Sequence, residues 1–103
     1  IIDHAESHDS IVPIEVIGPQ MEAHAKAAQV PVCVHLDHGT SYSFLMRAIR
    51  VGFSSIMYDC SALPFEENVK RIKDFTKIAH DFIRREGIQG RLAAFLSRHS
   101  HAG

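Results

Sequence analysis

The segment Val30-Pro31-Val32-Cys33-Val34-His35-Leu36-Asp37 most constrains what this chain can fold into. It is rich in β-branched residues and stops at His38-Gly39-Thr40-Ser41, which predicts a strand closed by turn residues. Its near-continuous apolar character suits a parallel strand covered on both faces. Parallel strands need crossover connections, and the flanking sequence supplies them. Phe44, Leu45, Ala48 and Ile49 recur at helical spacing between Ser41 and Val51, with Thr40 or Ser41 able to cap the start and Gly52 to stop it. Phe53-Ser54-Ser55-Ile56-Met57-Tyr58-Asp59 then reads as a second strand, again ending in an acidic residue and turn chemistry. A long helix follows, from about Phe65 to Phe82, with Phe65, Val69, Ile72, Ile78, Ala79 and Phe82 as its expected apolar stripe. Glu66 and Glu67 favour its first turn, and each faces a basic residue four positions on. Upstream, Ile1 to Ala5 is a weaker strand candidate, leading to a helix that ends near Gln29 with Pro19 expected in its first turn. Short strands alternating with longer helices imply βαβ units and a parallel sheet. Right-handed crossovers place all the strand C-termini on one edge.

With 103 residues there is room for one small domain. Eleven Lys and Arg against twelve Asp and Glu form no basic stripe, which argues against nucleic acid as a partner. No apolar run approaches the roughly 20 residues of a membrane helix, and Asp3, His4 and Glu6 break up any signal-peptide pattern. A first residue of Ile1 rather than Met points to a fragment or processed chain. Cys33 and Cys60 form neither a CxxC pair nor a disulfide framework, so a reducing cytoplasm is the simplest setting.

Eight histidines are the unusual count. His24, His80, His99 and His101 sit where surface residues belong. His35 and His38 lie on the best strand, and His35 reads as a core imidazole hydrogen-bonded to a neighbour. In folds of this class chemistry sits at strand C-termini. There the chain offers Asp37-His38 and Asp59. A neutral imidazole binds zinc while an adjacent carboxylate is free to move protons. By spacing alone, Asp37 and His38 read more readily as caps of the following helix and Asp59 as a cap of its loop.

The longer motifs carry a family resemblance. Val30 to Gly39 resembles the VPVxxHLDHG strand of class II, metal-dependent fructose/tagatose-bisphosphate aldolases. Ala48 to Asp59 is similar to their AIxxGFTSVMxD segment, and Ser61 to Asn68 to SxLPFEEN. The resemblance covers about residues 1–81. It implies an α/β fold, roughly three consecutive βα units of a (β/α)₈ TIM barrel that needs about 250 residues when whole. It implies a lyase that cleaves fructose or tagatose 1,6-bisphosphate into dihydroxyacetone phosphate and glyceraldehyde 3-phosphate, with Zn²⁺ as cofactor, a sugar bisphosphate as partner and a homo-oligomeric parent protein. Carried over by position, Asp37 is the catalytic proton-transfer residue, His38 a zinc ligand, and Asp59 is associated with a second metal position. The chemistry suits those residue types: cleavage needs a base for the C4 hydroxyl proton and a Lewis acid for the enediolate.

The resemblance places the aldolase-like segment at residues 1–82 and leaves 83–103 as a tail that does not match. With one imidazole ligand in hand where catalytic zinc takes three protein ligands, this chain is expected to be inactive by itself. The alternative is a non-catalytic α/β fragment with at most weak metal binding. A metal-phosphohydrolase HD pair at His35-Leu36-Asp37-His38 is ranked last, because those domains are helical and Val32 to Asp37 reads as a strand.

Overall fold

The computed structural model describes residues 1–86 and 93–96. Strand β1 (Ile2–Ala5) leads through a 3₁₀ turn (Glu6–His8) into helix α1 (Ile14–Ala27). Then come β2 (Val34–Gly39), α2 (Tyr42–Val51), β3 (Ser55–Tyr58), α3 (Phe65–Glu86) and β4 (Ala93–Leu96). The sheet order is β1-β2-β3-β4, with every neighbour parallel. The expected three βα units are present and a fourth strand follows them. The last helix continues past Phe82 to Glu86, and Ala93–Leu96 pairs with β3, so part of the expected tail continues the same alternation. The positions of His99 and His101 lie outside the described residues.

Each crossover advances one strand in the same direction, so right-handed connections put the helices on one face of the sheet. Val34, Leu36, Ile56 and Tyr58 point into that layer, packed with Ile14, Leu45, Ile49 and Phe75. Burying these side chains against one another is the main stabilising contribution. The registers Asp3↔His35, Ala5↔Asp37 and His35↔Ser55 align the other face, which is half-buried and polar.

Local boundaries differ from expectation for physical reasons. Strand β2 starts at Val34 rather than Val30, with the Ile2 N–H donating to the Cys33 carbonyl at 2.9 Å as the ladder begins. Pro31 has no N–H to give a ladder. Helix α1 starts at Ile14, whose N–H is held by Asp9 Oδ1 at 2.8 Å. Pro19 therefore lies inside the helix rather than in its first turn. Next to it, buried Gly18 lets α1 approach α2, since a Cβ there would meet the Val51 side chain. Helix α2 behaves as read: Ser41 Oγ accepts the Phe44 N–H at 3.3 Å, and Gly52 ends it at φ 111°.

In α3 the buried positions are Asn68, Ile72, Phe75 and Ala79, whereas Phe65, Val69 and Ile78 are exposed. The 68-72-75-79 spacing is a helical stripe, and the exposed three flank it. Glu67 and Arg71 form the expected pair at 3.1 Å. No helix among the described residues is long and apolar enough to cross a membrane.

Candidate active site

The site is built where β2 hands over to α2. His38, expected to begin the turn, remains in the strand but takes φ 50°, in the left-handed region that non-glycine residues rarely occupy. The pairing between β2 and β3 shifts between Leu36 and Gly39, the mark of a bulge that re-aims a side chain. The turn is fastened to β3 by the Asp59 N–H, which donates to the Gly39 carbonyl at 2.7 Å.

Asp59 also holds the imidazole. His38 Nδ1 lies 2.8 Å from Asp59 Oδ2, and Asp59 Oδ1 accepts the Ser61 N–H at 3.0 Å. Burial pushes the Asp59 carboxyl up, but the bonds from Ser61 and His38 outweigh it and bring the pKa to about 2. Because Asp59 is ionised it can only accept, so Nδ1 carries the proton and Nε2 keeps its lone pair when the ring is neutral. The same bond from Asp59, opposed by burial and helped by Asp37, raises the pKa of His38.

Asp37 occupies the other side. Its Oδ1 is 3.8 Å from His38 Nε2 and 4.0 Å from His35 Nε2. His35 is anchored in turn, with Nδ1 2.7 Å from Ser55 Oγ, the hydrogen-bonded neighbour expected of it. The three predicted residues thus come together, with His38 between two carboxylates: one behind it on Nδ1, one beside Nε2. This is the carboxylate–histidine arrangement that fixes the tautomer of a metal-binding imidazole. The donor set fits one corner of a zinc site. Among the described residues no group of three or more His, Cys, Asp and Glu side chains is arranged to hold an ion, whereas catalytic zinc takes three protein ligands.

Two participants were not singled out from sequence. Ser55 is one. The other is Glu6, whose carboxylate accepts from Thr40 Oγ1 at 2.7 Å, Ser41 Oγ at 3.0 Å, Ser41 N at 3.2 Å and Thr40 N at 3.3 Å. Burial pushes Glu6 up, but these four bonds prevail and lower its pKa. The signal available was the pairing of β1 with β2: Ala5 lies level with Asp37, which brings the next residue, Glu6, near the end of β2 and its turn.

The chain is similar to known proteins. A family model described as fructose-bisphosphate aldolase class-II matches residues 1–84. A fructose-bisphosphate aldolase of Thermus caldophilus is 47% identical over 70 residues, which is 67% of this chain and 23% of that protein. One from Treponema pallidum (strain Nichols) is 42% identical over 74 residues, 69% of this chain and 22% of that protein. The chain therefore spans less than a quarter of the length of these curated relatives. Among solved structures, the crystal structure of the YdjI aldolase from Escherichia coli K12 superposes with a TM-score of 0.69 at 34% identity, covering 93% of this chain and 35% of that one.

Proposed function

The chain belongs to the class-II fructose-bisphosphate aldolase family, a family of lyases, and from that premise we propose that its β2 and β3 strand ends form the base-and-imidazole part of a ketose-bisphosphate-cleaving site. The observation that carries the proposal is the placement of Asp37 beside the Nε2 of an imidazole whose Nδ1 is already committed to Asp59. In this reading the strands are part of a (β/α)₈ barrel whose site gathers at the strand C-termini. The whole protein cleaves fructose 1,6-bisphosphate or its C4 epimer, the tagatose ester, with zinc as cofactor. Free Cys33 and Cys60 suit a cytoplasmic setting.

The residues divide the work by chemistry. Asp37, at the strand end, takes the proton from the C4 hydroxyl as the C3–C4 bond breaks, and returns it in the reverse reaction. His38 offers the Nε2 lone pair to the cation, and Asp59 keeps that lone pair available by holding the proton on Nδ1. A zinc ion held with the help of His38 would supply Lewis-acid chemistry to the ketose half of the substrate. Asp59 in this scheme belongs to the metal region through His38.

A chimera tests the proposal. Residues 1–84 replace the matching segment of the Thermus caldophilus relative, which provides the remaining three quarters of the chain. The chimera should cleave fructose 1,6-bisphosphate in a coupled assay, and Asp37→Asn should reduce kcat by about 10²- to 10⁴-fold. A folded, active chimera indifferent to Asp37→Asn would overturn the assignment. For the 103-residue polypeptide by itself, the single imidazole corner favours the non-catalytic alternative, and no turnover is expected from it.

A further inference from the structure

We propose that Glu6 is a positioning residue for His38, holding the β2–α2 turn in the left-handed conformation that aims the imidazole at Asp59 on one side and Asp37 on the other. The inference rests on the reading of His38 given above and adds a residue to it.

The turn needs an external hold. A non-glycine residue in the left-handed region is strained and persists only where its surroundings over-determine it. The restraint on the β3 side is Asp59, through the Gly39 carbonyl and the His38 ring. On the opposite side, the residues immediately after the bulge, Thr40 and Ser41, give both backbone N–H groups and both hydroxyls to the one Glu6 carboxylate. Ser41 Oγ also accepts the Phe44 N–H, so the hold on the turn is continuous with the α2 N-cap. A negative charge at that helix end is favourable in its own right. Glu6 thus ties the end of β1 to the end of β2, as Asp59 ties β3 to it, and His38 sits between the two fastenings.

The tautomer of His38 reads this directly. In the 103-residue chain, at a pH high enough that the ¹⁵N shifts themselves show the ring neutral, the ¹⁵N and ¹³C shifts of the imidazole should show the Nδ1–H form predominating. The His38 signals are those lost in His38→Gln. Glu6→Gln keeps the size of the side chain but removes a carboxylate oxygen. It should lower the Nδ1–H to Nε2–H ratio about tenfold, the factor expected for one lost hydrogen bond. Thr40→Val, which deletes only the shortest of the four bonds, should lower the ratio less. Arg47→Gln breaks the Arg47 pairs with Glu15 at 2.6 Å and with Asp9 at 3.4 Å but none of the four bonds to the Glu6 carboxylate, and should reduce the melting temperature while leaving the ratio unchanged.

An unchanged ratio in folded Glu6→Gln overturns the proposal, as does an equal fall in Arg47→Gln. If Glu6→Gln loses its helical circular dichroism, Thr40→Val decides on the same ratio, and no fall overturns the proposal. Zinc added to the wild-type chain separates this inference from its premise. Failure of zinc to shift the His38 signals counts against the metal reading and leaves the tautomer result intact.

Discussion

Asp37 and His38 are adjacent in sequence, yet the bulge turns them into partners across a gap of 3.8 Å instead of side chains on opposite faces. That detail was beyond the sequence reading, because period-two alternation cannot anticipate a residue at φ 50°. The motif marked Asp37, His38 and Asp59, and the fold brings them together, but their orientation was not legible: the hold on Nδ1 by Asp59 and on the turn by Glu6 depends on strand register. A second histidine carries its own consequence. His4 is buried on the helix side of β1, level with Leu36, and its Nε2 has no partner among the described residues. Burial first, and then neighbouring His8, lower its pKa, against smaller opposing contributions from Asp9 and Asp3. A depressed histidine pKa means the unfolded chain takes up the proton more readily, so this contribution to stability is full above the ordinary histidine pKa of about 6.5 and declines as pH falls below it. The contribution of His4 to the melting temperature should therefore fall between pH about 7.5 and 5.5, while His38, whose pKa is raised, acts in the opposite direction. His4→Phe should remove that fall from the pH slope in a thermal scan. An unaltered slope would assign the pH response to other groups.

Element by element, the strand–helix alternation, the α2 cap and the stop at Gly52 followed from local chemistry, and the structure has them. The errors came from packing. Phe65, Val69 and Ile78 are apolar but flank the true buried stripe of α3, and the zero-exposure position Asn68 is polar, so a stripe drawn from hydrophobicity alone was rotated off axis. Pro19 was placed in a first turn because the start of α1 is fixed by Asp9, five residues before the first helical position. The same helix supplies a packing test. Gly18 is the point where α1 rests against Val51 of α2. Gly18→Ala gains up to about 1 kcal/mol in helix propensity but introduces an overpacked methyl that costs about 1–3 kcal/mol. Urea unfolding should show a net loss of about 1–2 kcal/mol. Val51→Ala in the same chain should recover most of it, with a coupling energy above about 0.5 kcal/mol.

At the scale of the whole molecule, the helices protect one side of the sheet, and the other presents Asp3, His35, Asp37 and half-buried Met57. That polar side is where the candidate chemistry faces, and it offers one well-oriented imidazole. Calorimetric titration of the 103-residue chain with zinc should therefore yield no one-to-one site of submicromolar affinity, and His38→Ala should abolish the weak heat that remains. Strong stoichiometric binding that survives His38→Ala would mean that other residues hold the ion. The strand order β1-β2-β3-β4 has one more implication. Because no strand is inserted between two earlier ones, a break after any helix severs a single ladder and leaves every other pairing whole. Such a chain is a natural unit of exchange: lengths of it can be traded between homologous genes at helix ends, with each trade disturbing one seam rather than the weave.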